Sequence, residues 1–218
     1  MTKRRVSAVI LAGGRSSRFG RDKLAEPVDG RPLLEHTIDA VRPFATQIVV
    51  VRAPAAAGPG RAARATEADT EADTEADTEA DLSLPPDVSL VHDSVAYEGP
   101  LVGLVVGLRA ARESLVVVVG GDMPTLVASV IEALLSELDD PEIDAAILQH
   151  EGRARPLPMV VRRATGLTAA ERLVEGGERR LRALGEALVT LKISEPAWRL
   201  LDPDGRTIRD VDTPADLR

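Results

Sequence analysis

Val6-Ser7-Ala8-Val9-Ile10 runs directly into Leu11-Ala12-Gly13-Gly14-Arg15-Ser16-Ser17-Arg18-Phe19-Gly20-Arg21-Asp22-Lys23. The first five residues are apolar, partly β-branched and bounded by turn chemistry, so they predict a buried strand. Such a strand delivers the glycines to the carboxyl edge of a sheet, where open α/β folds bind ligands. Gly13 and Gly14 let the backbone come close to a ligand and expose successive N–H groups to an anion. Arg15, Arg18, Arg21 and Lys23 bring positive charge to the same loop, and Ser16 and Ser17 add hydroxyl donors. This is the chemistry of a phosphate cradle, although the G-x-G-x-x-G dinucleotide pattern and the G-K-[ST] ending of a P-loop are both absent. The alternative is an ordinary Gly-Gly turn followed by a solvated basic loop; the strand in front and Lys23 at the end favour phosphate.

Outward from this loop the chain alternates strand and helix. Asp29-Gly30-Arg31-Pro32 reads as a turn, and Leu33, Leu34, Ile38 and Val41 recur at helical spacing in a helix ending near Pro43. Gln47 to Val51 is a second β-branched strand, which continues the βαβ alternation of a parallel sheet. Val88 to Val91 predicts a third strand, and Gly99-Pro100 opens a helix with Leu101, Leu104, Val105 and Leu108 on one face. Gly103 and Gly107 form a second, small-residue face of that helix, suited to lying close to a neighbouring backbone. Leu115 to Val119 is the most strand-like run and is expected at the sheet centre. It ends in Gly120-Gly121-Asp122-Met123-Pro124, where Pro124 delays the next helix and holds Asp122 at the carboxyl edge. A helix over residues 125–138, a strand over 145–149, and helical stretches on either side of Gly176-Gly177-Glu178-Arg179-Arg180 complete the pattern. Arg179 and Arg180, at a helix start, suit a phosphate clamp or a solvated basic turn equally well. At the end, Thr213-Pro214-Ala215-Asp216 has the chemistry of an N-cap, which sets Asp212 at a strand-to-helix junction like Asp122.

Composition narrows the function classes. The chain has 218 residues, no cysteine and 44% apolar residues with only 2% aromatics, so its core is built from aliphatic side chains, as parallel sheets under helices require. Without cysteine there is no disulfide, thiolate metal site or cysteine nucleophile. A net charge of -8 and a single Trp and Tyr argue against a nucleic-acid binder. No apolar stretch approaches the ~18 residues of a membrane span, so a cytoplasmic protein without a membrane partner is expected. Residues 53 to 65 are rich in Ala, Gly, Pro and Arg, and residues 66 to 81 are four copies of Thr-Glu-Ala-Asp, which carry eight of the acids. A repeat this acidic has no apolar periodicity with which to bury itself, so residues 53–87 are expected to be an inserted surface loop. An EF-hand reading fails for want of the required Gly and spacing.

Leu11-Ala12-Gly13-Gly14, Ser16-Ser17-Arg18-Phe19-Gly20 and Asp22-Lys23 together resemble the signature loop of the molybdenum cofactor guanylyltransferase (MobA-like) family of nucleotidyltransferases. Gly121-Asp122-Met123-Pro124 is similar to that family's metal-binding element, and Pro156-Leu157-Pro158 to the strand leading into its acceptor region. Where the family often shows N-x-N-T-P, this chain has Asp210-Val211-Asp212-Thr213-Pro214, a departure that adds a carboxylate.

The resemblance implies a Rossmann-like, doubly wound α/β fold: a mostly parallel sheet with helices on both faces, in a single domain over residues 1–218. It implies Mg²⁺-dependent transfer of GMP from GTP to molybdopterin or the molybdenum cofactor, with release of pyrophosphate. Leu11, Ala12, Gly13, Gly14, Arg15, Arg18, Lys23 and Asp93 would bind the nucleotide, and Asp122 and Asp212 the metal. Lys23 and Asp122 would be the catalytic residues, and Arg179 and Arg180 would hold the acceptor. Cofactor-delivery proteins would be further partners. Two hard carboxylates plus phosphate oxygens suit Mg²⁺, and His36, His92 and His150 lie in unrelated contexts that offer no softer site. Cytidylyl or other nucleotidyl transfer to a different phosphorylated acceptor remains open, as does a non-catalytic carrier of nucleotide or cofactor. Leu11-Ala12-Gly13-Gly14 favours the guanylyl branch, since cytidylyl relatives tend to carry a second Ala in place of the first Gly.

Overall fold

A computed structural model describes residues 4–13, 23–53, 84–93 and 99–211. The acidic repeats therefore lie outside the described residues, as does the predicted cap at Thr213.

The predicted strands form where the β-branched runs occur: β1 (Val6–Leu11), β4 (Gln47–Arg52), β5 (Val88–His92) and β6 (Leu115–Gly120). Between β1 and β4 lie a short hairpin, β2 (Pro27–Val28) with β3 (Arg31–Pro32), and helix α1 (Leu33–Val41). Helix α2 (Pro100–Ala110) links β5 to β6, and α3 (Ala128–Glu137) links β6 to β7 (Ala145–His150). After β8 (Arg153–Arg162) come α4 (Arg163–Glu175), α5 (Leu181–Ala187), β9 (Thr190–Ile193) and the single turn α6 (Glu195–Trp198).

Seven strands form one sheet in the order β5-β4-β1-β6-β8-β7-β9. β8 pairs antiparallel with both β6 and β7, and the other pairs are parallel, so the sheet is mostly parallel with one inverted strand. β1 and β6 sit at its centre, as their near-continuous apolar runs require.

Successive residues of a strand face opposite sides. Val6, Ala8 and Ile10 of β1 join one core with Leu34 and Ile38 of α1, Ile131 and Leu134 of α3, and Trp198. Val9 joins the opposite core with Leu104 and Leu108 of α2, Ala170 of α4 and Leu184 of α5. Helices thus cover both faces.

Three details depart from the sequence reading. Residues 29–32 form a hairpin rather than a turn alone, because Asp29 and Gly30 both take positive φ and fold Arg31 back onto Val28. Helix α3 begins at Ala128 rather than 125, because Thr125 Oγ1 donates to the Arg206 carbonyl (2.8 Å) and the Val127 N–H donates to Thr207 Oγ1 (3.1 Å). The strand read from Pro156-Leu157-Pro158 already begins at Arg153 and runs to Arg162.

Gly107 shows why the small-residue face of α2 exists. A Cβ there would lie 2.4 Å from Val9 Cγ1 and 3.0 Å from Val51 Cγ2, so only glycine lets α2 approach β1 and β4 this closely. Gly107→Ala should lower stability by about 1–3 kcal/mol through overpacking, read as an earlier urea midpoint. An unchanged midpoint would mean that α2 can lift off the sheet at no cost.

Candidate active site

The site grows from one pair of adjacent strand ends. β1 and β6 are in register to Leu11↔Gly120, where both chains leave the sheet at its carboxyl edge. They stay tied beyond it: the Gly121 N–H donates to Leu11 O (2.9 Å), and the Ala12 N–H donates to Val51 O (2.8 Å). From α1, Thr37 Oγ1 donates to Gly121 O at 2.9 Å, which fixes the turn ahead of Asp122. A Cβ on Gly120 would stand 2.5 Å from Asp122 Oδ1, so glycine there leaves room for the carboxylate to fold back over the strand end.

Lys23 meets Asp122 at this point. Its ammonium donates to Asp122 Oδ2 at 2.6 Å and to the Val211 carbonyl at 3.0 Å, and the Val211 N–H donates to the Asp122 carbonyl at 3.0 Å. The side chains are only 16% and 25% exposed, so solvent screens the pair less than a surface ion pair. Three stretches far apart in sequence converge on this lysine–aspartate pair.

Beside the pair opens a cavity of about 620 Å³, walled in part by Leu11, Gly13, Asp93, Gly103, Gly120 and Asp122. Its size suits a nucleotide-sized ligand. Asp93 follows β5, with its N–H on Arg52 O (2.9 Å), and is 8% exposed. Its Oδ1 is buried and has no hydrogen-bond partner among the described residues. Native structures rarely leave such an oxygen unpaired, so a donor from a ligand is the natural partner.

The sequence-predicted residues distribute as follows. Leu11, Gly13, Asp93 and Asp122 line the cavity, and Lys23 is bonded to Asp122 at its wall. Ala12 is adjacent, with its N–H engaged by β4. Gly14, Arg15, Arg18 and Asp212 lie outside the described residues.

Arg179 reaches the rim through its backbone, whose carbonyl accepts from the Leu101 N–H (3.1 Å) at the start of α2. Its guanidinium bonds the Val174 and Glu178 carbonyls, both at 2.9 Å. Arg180 forms a two-point ion pair with Glu178, at 3.0 and 2.8 Å. Bonds from the Arg180 side chain, then from the N–H groups of Arg180 and Arg179, lower the Glu178 carboxyl to about 2. The donor set around the cavity is all oxygen, which fits a hard divalent cation that keeps positions open for phosphate oxygens. Among the described residues no group of three His, Cys, Asp or Glu gathers to hold one unaided.

Arg155 was not foreseen. Its guanidinium donates to the Ile208 carbonyl (3.2 Å) and to Asp210 Oδ2 (3.1 Å), so β8 anchors the segment that brings Val211 to Lys23. The signal was a cation placed opposite Leu148 on a strand face that otherwise serves the core. Asp202 braces the same segment from further back. Burial would raise its carboxyl, but the N–H groups of Thr207 and Arg206 outweigh this and hold it below the usual aspartate value. Its Oδ2 accepts from the Thr207 N–H at 2.7 Å.

Two measurements check these assignments. Arg155→Ala should speed hydrogen exchange at the Val211 amide while leaving β1 and β6 amides protected; equal protection at Val211 would remove the anchor. A carboxyl titration should place Glu178 near 2, against the ordinary 4.5. Because its folded value is depressed, the stabilisation it contributes is complete above pH ~4.5 and fades as pH falls towards 2. The stability gap between the protein and Glu178→Gln should accordingly narrow in acid, and a gap constant from pH 7 to pH 2 would contradict the pairing.

Residues 8–191 match the MobA-like NTP transferase domain. The chain is 30% identical over 220 residues to a probable molybdenum cofactor guanylyltransferase of Chloroflexus aggregans, covering 98% of this chain and 92% of that protein. It is 34% identical over 198 residues to the molybdenum cofactor guanylyltransferase of Pseudomonas putida, covering 89% and 90%. In fold it resembles molybdopterin-guanine dinucleotide biosynthesis protein A of Archaeoglobus fulgidus (TM-score 0.71, 23% identity, 97% and 94% covered). It also resembles 2-C-methyl-D-erythritol 4-phosphate cytidylyltransferase of Thermus thermophilus (TM-score 0.62, 16% identity, 96% and 94% covered). With the family's domain matching residues 8–191 and a relative 30% identical over nearly its whole length, the chain belongs to the MobA-like NTP transferase family of nucleotidyltransferases.

Proposed function

We propose that this protein transfers GMP from GTP to the phosphate of molybdopterin or the molybdenum cofactor, with Mg²⁺, and releases pyrophosphate. The observation that carries the reading is the Lys23–Asp122 contact at the wall of a nucleotide-sized cavity, in a chain whose relatives are named for guanylyl transfer.

An oxygen of the acceptor phosphate attacks the α-phosphorus of GTP, the bond from that phosphorus to the α,β-bridging oxygen breaks, and pyrophosphate departs with the electron pair. The protein's work is positioning and neutralising charge, since no protein nucleophile is needed. Asp93 Oδ1 accepts a hydrogen bond from the nucleoside, which satisfies the buried oxygen. Leu11 and Gly13 bring backbone against the triphosphate, and Arg15 and Arg18 extend the positive loop. Lys23 exchanges its carboxylate partner for phosphate oxygens. Asp122, with Asp212 next in sequence to Val211, would bind Mg²⁺, which when bound neutralises the triphosphate and polarises its phosphorus. Arg179 and Arg180 remain proposed for the acceptor, Arg180 by giving up Glu178.

Pyrophosphate release with Mg²⁺, molybdopterin and each nucleoside triphosphate in turn tests the reading. Release should depend on GTP and on acceptor, and Lys23→Ala and Asp122→Ala should each lose ~10²–10³ in rate with circular dichroism unchanged. Full activity in the Asp122 variant would remove its metal role. Nucleotide binding without consumption would favour a carrier, and selectivity for CTP would favour the cytidylyl branch.

A further inference from the structure

Helix α1 buries Leu33, Leu34, Thr37, Ile38 and Val41, a stripe at helical spacing in which Thr37 is the one polar side chain. It is as fully buried as its aliphatic neighbours. A hydroxyl in such a place costs stability unless it is bonded, and valine would fill the same space without that need. The usual solution for a helical Ser or Thr is a carbonyl one turn back, as with Ser136 on Glu132 O (2.9 Å) and Thr168 on Ala164 O (3.1 Å). Thr37 instead gives its single proton to Gly121 O, 84 residues along the chain and 2.9 Å away.

That carbonyl belongs to the peptide between Gly121 and Asp122, and Gly121 is itself buried. The peptide on the other side of the Asp122 Cα is held as well, by the Val211 N–H on Asp122 O at 3.0 Å. Both peptide planes that meet at Asp122 are thus fixed, and with them the direction in which its side chain leaves the backbone. Two glycines precede Asp122, so the backbone there is permissive and bonds from outside must supply the restraint. The same helix seats Lys23. The 3₁₀ turn Lys23–Ala25 packs on α1, the Leu33 N–H donates to Glu26 O at 2.9 Å, and His36 Nε2 bonds Val28 O at 2.8 Å. Leu24 then presses on Gly121, where a Cβ would meet its methyl groups at 3.1 and 3.3 Å.

Resting on the nucleotidyl-transfer reading above, we infer that Thr37 is a positioning residue for the reaction: through the Gly121 carbonyl it aims the Asp122 carboxylate at Lys23 and the adjoining cavity, and it touches no substrate itself. A packing role needs only the Thr37 methyl group. The positioning role needs only the hydroxyl. Serine and valine therefore separate the two, since Thr37→Ser keeps the hydroxyl and drops the methyl while Thr37→Val does the reverse. In Thr37→Val the Gly121 carbonyl is left buried without a donor, and its peptide gains by turning to find one, which swings Asp122 away from Lys23.

Two readouts test this, one of them free of substrate. The lysines of the chain are Lys3, Lys23 and Lys192, so the Lys23 ammonium signal is assigned by NMR from its loss in Lys23→Arg. Held by Asp122 and the Val211 carbonyl, its protons should exchange slowly with solvent in the ligand-free protein. Thr37→Val should speed that exchange ~10-fold and lower kcat for pyrophosphate release ~10–100-fold, with KM for GTP little changed and β1 amides still protected. Thr37→Ser should match wild type in both readouts. Unaltered exchange or unaltered kcat in Thr37→Val overturns the inference, and so does Thr37→Ser failing alongside it. If Thr37→Val does not fold, Thr37→Ala replaces it against Thr37→Ser, and equal exchange in those two overturns the inference. No pyrophosphate release by wild type overturns the transfer reading instead; Lys23 exchange faster in Thr37→Val than in Thr37→Ser then leaves the placement of Asp122 by Thr37 standing.

Discussion

The ammonium of Lys23 joins parts of the chain that lie far apart in sequence. At 2.6 Å from Asp122 and 3.0 Å from the Val211 carbonyl, it ties the end of the glycine loop, the turn after the central strand and the C-terminal segment to one point. Neither charge is free in water, so each depends on the other, and removing one would strand its partner in a half-buried place. The surrounding bonds serve this geometry. Thr37 holds the Gly121 carbonyl, the Val211 N–H holds the Asp122 carbonyl, and Arg155 holds the segment from the far side. Before substrate arrives the lysine and carboxylate neutralise each other. A ligand that offered each a better partner would exchange these charges and leave neither alone.

Asp93 completes the site by a different physical route. A buried carboxylate oxygen without a donor is costly, and the fold tolerates it at the cavity wall rather than in either core. Such local cost concentrates where a ligand relieves it. Gly107 seats α2 against Val9 and Val51, which fixes the wall formed by Gly103 and Pro100.

Much of this was legible in the sequence because it depended on local runs. Val6 to Ile10 and Leu115 to Val119 are β-branched and apolar, so their burial at the sheet centre followed, and Gly13 and Asp122 followed from what comes next in the chain. The small-residue face of α2 was readable on the same grounds. β9 was not, because four residues with Lys192 among them have no clear alternation. Trp198 gave no periodic signal either, although it is fully buried and its Nε1 donates to the Gln149 carbonyl at 2.8 Å. Arg155 and Thr37 act across long sequence separations that only folding brings together. The bonds of Arg179 and Arg180 to α4 and Glu178 depend on rotamers, which residue type does not encode.

One irregularity bears on how such a protein can change over time. β7 and β8 shift register between Ile147 and Leu148: Ile147 pairs with Met159 and Leu148 with Arg155, so Pro156, Leu157 and Pro158 bulge from the ladder, and Leu157 lines the cavity beside Asp122. Because side chains alternate along a strand, gaining or losing one residue between Arg155 and Met159 would have to be absorbed within this bulge or would turn Arg155 away from Asp210. Residues along β8 can therefore be replaced one at a time, whereas a change in its length would disturb the anchor of the segment that reaches Lys23. The hairpin behaves as a ruler whose graduations can be repainted but not moved.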